Sequence, residues 1–198
     1  MERTAMFLGI RTTSRMLCGL GLLTTLGCNG AVQKDSADVM PPEARDVLLG
    51  MSRNQIAGRE NVHDNSGDLS ERVGSAVLLF WFGDQIRGYD GGKGLAAVVV
   101  SYASDNAHSR LTDLAARWTQ VAGPPVQSAT KSFEMIGGIR VPTRIVVWRH
   151  KGMQLAIHEE LGADSGAIPP VRRSNVIVAK AEVPLASLFS AFGDVANR

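Results

Sequence analysis

The sequence predicts an α+β domain: an antiparallel sheet packed by helices. Three observations carry that class. Apolar, β-branched and aromatic runs recur at Ser75 to Phe82, Leu95 to Tyr102 and Arg144 to His150, each bounded by glycine-rich or charged turns. One stretch has helical rather than strand periodicity, with Leu111, Leu114, Ala115, Trp118, Val121 and Ala122 on a single face. The order of elements is helix, strands, helix, strands, not the strict strand–helix alternation of a parallel sheet. That order also fits two helix-plus-small-sheet halves, roughly 43–102 and 105–183, although no residue-level repeat links them.

Taken in order, Pro41 and Pro42 precede Glu43 to Leu49, a predicted helix with proline at its start and acidic residues in its first turn. Gly50-Met51-Ser52 breaks it, and Ser52 is placed to cap a second short helix through Ile56. Residues 58–74 are polar and turn-rich and are assigned to a loop. Ser75 to Phe82 and Leu95 to Tyr102 form strands, joined through turn signals at Gly83-Asp84 and Gly88 to Gly94. The helix that follows has Asp105, Asn106 or Ser109 as cap candidates and stops at Gly123-Pro124-Pro125. A weak strand is expected from Ser132 to Met135. Arg144 to Glu160 is expected as a hairpin turning at Lys151-Gly152. Residues 162–173 form a loop, Asn175 to Val183 a last strand, and Pro184 to Phe192 a last short helix.

Upstream, Arg3, Arg11 and Arg15 precede an uncharged stretch from Met16 to Leu26. That stretch has the length of a signal-peptide core and is too short to span a bilayer, which takes about 20 apolar residues. Leu23-Thr24-Thr25-Leu26-Gly27-Cys28 resembles the lipobox of bacterial lipoproteins, with Thr25 where leucine is usual. The resemblance implies cleavage before Cys28, a diacylglycerol on its sulfur and often a third acyl chain on its amine, such as palmitate. Two or more chains make anchoring stable, each buried methylene contributing about 0.8 kcal/mol. Asn29 after the cysteine, rather than aspartate, points to the outer membrane, with the domain facing the periplasm. The expected layout is a signal peptide over 1–27, a lipidated tether over 28–42 and an α+β domain over 43–198.

Cleavage at Cys28 changes the composition. Removing three arginines and one glutamate from 21 basic and 19 acidic residues leaves eighteen of each, so the mature chain is formally neutral. A nucleic-acid-binding domain needs a basic face, and this balance argues against one. The second cysteine, Cys18, leaves with the leader, so the mature chain has no disulfide to rely on.

Candidates for chemistry are few. Across the predicted hairpin His150 pairs with Met153, Trp148 with Leu155, and Val146 with Ile157, which sets Arg144 opposite Glu159 as an edge ion pair. His158 then lies on the other face, opposite Ile145. His158-Glu159-Glu160 is not the His-Glu-x-x-His zinc motif, and His63 and His108 lack ligand spacing, so no metal is expected. Gly92-Lys93-Gly94-Leu95-Ala96-Ala97 fits a dinucleotide-binding pattern only formally, because a strand follows it, and no cofactor is expected. Ser52 and Ser165 have no recognisable base partner. A small hydrolase would need Asp84, Asp90, His108 or Glu160 to converge. Trp81, Trp118 and Trp148 fall at core positions, or else line a cleft for an apolar ligand between the helix and the sheet. The run Leu78 to Phe82 is apolar on both alternations, as in a strand covered on both faces or an interaction surface.

Leu49 to Ile56 is similar to the Gly-Met-Ser/Thr helix opening of small envelope lipoproteins that assist outer-membrane barrel assembly. The order strand, helix, Gly-Pro, strand, Trp over 95–148 resembles many secreted α+β proteins. The expectation is a lipid-anchored, non-enzymatic envelope protein with an interaction or assembly role and an envelope protein partner. Apolar-ligand binding or sensing is the alternative, and a small hydrolase comes third.

Overall fold

A computed structural model of the chain describes residues 35–103, 107–134, 140–161 and 174–189. Its centre is one eight-stranded antiparallel sheet. The strands are β1 (Val62–Asn65), β2 (Asp68–Val73), β3 (Ala76–Phe82), β4 (Leu95–Tyr102), β5 (Gln127–Glu134), β6 (Arg140–His150), β7 (Met153–Glu160) and β8 (Ser174–Lys180). Their spatial order is β1-β2-β3-β4-β8-β7-β6-β5. Two four-stranded meanders therefore meet where β4 pairs with β8. The helices are α1 (Arg53–Ala57), α2 (Ala107–Ala122) and α3 (Leu185–Leu188), so α1 precedes one meander and α2 the other. The sheet dominates the fold, and the helices serve as its cover.

Both faces of the sheet are covered. On one, called here the helical face, α2, α1 and residues 35–49 pack Leu111, Leu114, Trp118, Ile56, Val39, Met40 and Leu49 onto Leu78, Val98, Val100, Leu155 and Val176. On the rear face, the β3–β4 connection and the chain after β8 bring Ile86, Tyr89, Leu185 and Leu188 onto Val99, Ile145, Ala156 and Ile177. This explains the near-continuous burial of β4, β7 and β8, which are central strands covered on both sides. Trp118 is fully buried and meets Trp148 edge to face, with centroids 5.5 Å apart. Its indole N–H donates to the Val39 carbonyl at 2.8 Å.

The expected hairpin forms in the predicted register: His150 opposite Met153, Trp148 opposite Leu155, Val146 opposite Ile157, Arg144 opposite Glu159, and Ile145 opposite His158. Lys151 and Gly152 both have positive φ, as a two-residue turn of the hairpin-favouring hand requires. Ser52 caps α1 in a full capping box with Gln55.

Other expectations are corrected. Residues 58–74 are not a loop: they contain β1 and β2, joined by a two-residue turn at Ser66-Gly67, again with positive φ at both positions. These strands read as loop because they form a sheet edge, where Leu69 is the only fully buried apolar side chain. The helix expected from Glu43 shrinks to a 3-10 turn at Pro42–Ala44. Beyond it Val47 and Leu49 turn into the core, and the stretch pairs with the start of β4 through Gly50 N–H to the Leu95 carbonyl and Leu95 N–H to the Met51 carbonyl, both 2.8 Å. β5 is a full eight-residue strand from Gln127, because continuous pairing with β6 overrides its polar sequence. β8 ends at Lys180, where Ala181 turns to bond Gly152. α3 is a single turn that ends at Leu188 because Phe189 is extended, and residues 190–192 of the expected helix lie outside the described residues.

The division at residue 42 also moves. Ser36, Val39 and Met40 are buried, so the fold takes hold by Asp35 and absorbs eight residues that the sequence assigns to the tether. Trp118 carries much of that attachment. Trp118→Ala is expected to cost about 3–5 kcal/mol in urea unfolding, the usual range for truncating a buried tryptophan. Trp81→Ala should cost less, since Trp81 is only half-buried.

Candidate functional site

The antiparallel register lines up polar residues at one end of the helical face. Tyr102 on β4 lies opposite Ser174 on β8, Ser174 opposite Glu159 on β7, and Glu159 opposite Arg144 on β6. The first turn of α2 sits above this row. Arg110 reaches its β4 side and His108 its β7 side.

Two carboxylates organise the row. Glu159 is 3% exposed. Its Oε1 lies 2.6 Å from His108 Nδ1, and its Oε2 lies 2.6 Å from an Arg144 terminal nitrogen. The Arg144 contact is a close ion pair with poor hydrogen-bond angles: Glu159 Oε2 and Arg144 Nε each lack a well-formed hydrogen bond. A buried carboxylate needs such partners, since isolating it from water would cost several kcal/mol. Glu43, arriving from the 3-10 turn, accepts from the Tyr102 hydroxyl at 2.8 Å and from Arg110 at 2.7 Å. Burial, together with that hydrogen bond to Glu43, holds the Tyr102 phenol far above its ordinary pKa, so it acts as a fixed donor.

Beside the row, a cleft of about 340 Å³ opens between α2 and residues 42–43, lined by Pro42, Glu43, Tyr102, Arg110, Asp113, Leu114 and Arg117. Arg117 donates to the carbonyls of Asp38 and Met40, so the cleft's cations are partly committed to holding the N-terminal segment. His108 turns Nδ1 toward Glu159, which leaves Nε2 directed away from it on a side chain 65% exposed. This carboxylate–imidazole pair can position a base or a hydrogen-bonding group, but no nucleophile touches it in the described structure.

The rear face carries a second polar row one residue along. Ser101 Oγ donates to Asn175 Oδ1 at 2.6 Å, and Asn175 Nδ2 donates to His158 Nδ1 at 3.3 Å. Phe189 stacks on the His158 ring, with centroids 6.0 Å apart. Burial lowers the His158 pKa, only partly opposed by the charge of Glu160, and the neutral ring is the form that accepts from Asn175.

The sequence-predicted candidates are not brought together. Asp84 and Asp90 lie in the β3–β4 connection, at the opposite sheet end from His108 and Glu160. Asp84 lies 4.0 Å from Arg53. Glu160 faces the rear of the sheet and His108 the front. This scatter overturns a hydrolase built from those four residues. His63 is on edge strand β1, beside an open depression of about 510 Å³ that also includes Asn65, Ser70 and Arg72. His150 and His158 occupy opposite faces, as the hairpin register required. Among the described residues no three His, Cys, Asp or Glu side chains are grouped to hold a metal. Ser52 serves as a helix cap. Gly92 supplies a turn at φ 95° before β4. Cys28 and Ser165 lie outside the described residues.

Sequence reasoning anticipated the Arg144–Glu159 pair but not the His108–Glu159, Tyr102–Glu43 or Ser101–Asn175 contacts. Those contacts join residues 51 to 74 positions apart, and no local spacing encodes them. No protein-family model, curated protein or solved structure matches this chain.

Two measurements check the rows. Glu159→Ala is expected to cost about 3 kcal/mol, the lower end for breaking a buried pair because Arg144 keeps some contact with water. His108→Ala should cost less than about 1 kcal/mol, as for an exposed partner; equal losses in urea titrations would contradict the assignment. Because the His158 pKa is lowered in the fold, its unfolded form takes up a proton first as pH falls. Stability from this residue is therefore complete above about pH 6.5, the ordinary histidine value, and declines on acidification toward the lowered folded value. A series of melting temperatures from pH 8 to pH 5 should fall less steeply for His158→Gln than for the parent.

Proposed function

We propose that this chain is a lipid-anchored envelope protein, held at the periplasmic face of the outer membrane through Cys28, with a non-enzymatic interaction or assembly role for an envelope protein partner. The observation that carries the reading is the lipobox itself. Cys28 stands only seven residues before Asp35, where the packed domain takes hold. No described helix is long and apolar enough to cross a membrane, which leaves the acyl chains as the proposed attachment.

The alternative, an apolar-ligand carrier or sensor, has less support. The space between α2 and the sheet is filled by Leu111, Leu114 and Trp118 packed on Trp148, Leu155 and Val176. The cleft beside it mixes apolar surface from Pro42, Tyr102 and Leu114 with the charged groups Glu43, Arg110, Asp113 and Arg117, so it is not a dry apolar pocket. In the same reading the domain is an α+β unit of two helix-plus-meander halves, with the Tyr102–Arg144 row and its cleft presented at the end of the sheet away from the tether.

Metabolic labelling with an alkyne fatty acid tests the anchor. The parent protein should incorporate label and sediment with membranes, and Cys28→Ala should lose both properties. Equal labelling of the two would refute the reading.

A further inference from the structure

The tether comes in at one particular end of the domain. Asp35 pairs with Lys151 at 3.1 Å, on the β6–β7 turn. From there residues 38–40 run beside the last turns of α2, held by Trp118 and Arg117. Seven residue steps separate Cys28 from Asp35. Even fully extended they reach about 25 Å. The eight residues of β4 alone span about 26 Å from this end of the sheet to the other. Turning the domain over would lift Asp35 beyond that reach once the far loops are included. If Cys28 is lipidated, the β6–β7 turn end therefore faces the bilayer.

That end has an unusual surface. Three large apolar side chains are exposed among the described residues, and two of them are here: Val121 at 40% and Val126 at 60%. They flank the exposed Pro124 and Pro125 in the α2–β5 turn. Val126 N–H bonds the Val147 carbonyl, which sets this turn beside the end of β6, where Arg149 and Lys151 are exposed and His150 is half-buried. Lys180 lies across from Met153 at the same end. Beside these strand ends the acidic residues are Asp35, which is matched to Lys151, and Glu182; Asp84 and Asp90 lie at the same end of the sheet but in the β3–β4 connection, on the far side of β8 from this turn. The mature chain is neutral overall, so this small cationic excess is local. An apolar turn rimmed by cations is the composition of a membrane-interface contact: the apolar tip enters the headgroup boundary and the cations meet anionic lipid.

We infer that Val121–Val126, with Arg149 and Lys151 beside it, is a docking surface for anionic phospholipid headgroups, which seats the domain upright on the bilayer that holds Cys28. The inference rests on the lipid-anchor reading. Docking fixes the orientation of the domain and points the Tyr102–Arg144 row away from the membrane.

The experiment uses the full lipidated protein in vesicles of phosphatidylglycerol with phosphatidylethanolamine, and in vesicles of phosphatidylcholine. With Cys28 acylated and Cys18 removed, the mature chain has no free thiol, so Val126→Cys takes a single polarity-sensitive fluorophore. Ser75→Cys, exposed on the β2–β3 turn at the opposite end, is the control. The Val126→Cys probe should report an apolar, lipid-quenchable environment on anionic vesicles while the Ser75→Cys probe reports water. Adding Val121→Asp and Arg149→Glu should lower the docked fraction relative to the free by at least about fivefold, the effect of one cation near an anionic surface. Water-like emission at Val126→Cys in protein that still floats with vesicles overturns the docking surface. Equal burial on neutral and anionic vesicles overturns the role given to the cations. Failure of the anchor itself has a different signature: parent protein that does not float and takes the fluorophore at Cys28.

Discussion

Six residue pairs, from Ala97 opposite Ala179 to Tyr102 opposite Ser174, join the two meanders into one sheet. Each meander is a chain of local hairpins, and each has a long apolar strand at its inner margin. Left open, β4 and β8 would be hydrophobic edges inviting pairing with other chains. Pairing them with each other moves both to the centre and leaves only β1 and β5 at the margins, which are short or polar. The closure joins residues more than 70 positions apart, so the entropy of closing that loop must be met before the core can form. It also requires both faces of the sheet to be covered. That requirement explains the two unlike layers: α2 with the N-terminal segment in front, and the β3–β4 connection with the chain after β8 behind. The glycines of that connection are part of the cover: a Cβ on Gly83 would overlap the Gly92 carbonyl and the Tyr89 ring.

The same pairing builds the candidate site. Tyr102, Ser174, Glu159 and Arg144 are consecutive across four strands only because the β4–β8 register meets the β8–β7 and β7–β6 registers in phase. A shift of one residue would turn Glu159 to the rear and bring His158 forward. Polar groups occupy both faces at this end: Glu159 lies between Arg144 and His108, and Asn175 between Ser101 and His158. The front row also carries the cleft and an exposed imidazole.

Residues 35–49 bind the N-terminal segment into the core. They are covered by Trp118 and Arg117 at one end and fixed by Glu43 to Tyr102 and Arg110 at the other. This N-terminal segment is therefore integrated with the packing of the domain, so its direction is fixed relative to the sheet.

Much of the fold was legible in local pattern. The uninterrupted apolarity of Leu95 to Tyr102 marks a central strand, the helical spacing from Leu111 to Trp118 marks a covering helix, and Lys151-Gly152 between two alternating runs sets a hairpin and its register. These are decided by neighbours in sequence, so composition and periodicity suffice to read them. The lipobox before Cys28 is local in the same sense, being a short motif read in the linear chain. Edge strands β1 and β2, the full length of β5 and the packing of residues 35–42 were not legible. Their side chains are mostly polar, or their partners distant, and cross-strand pairing rather than their own pattern holds them. The site lies further from the sequence still: His108 meets Glu159, Glu43 meets Tyr102, and Ser101 meets Asn175 only after β4 and β8 have joined. The sequence by itself determined the central strands, the long covering helix and the β6–β7 hairpin with its register. The tertiary structure alone decided which polar residues face one another, because that follows from the register between halves that are remote in the chain.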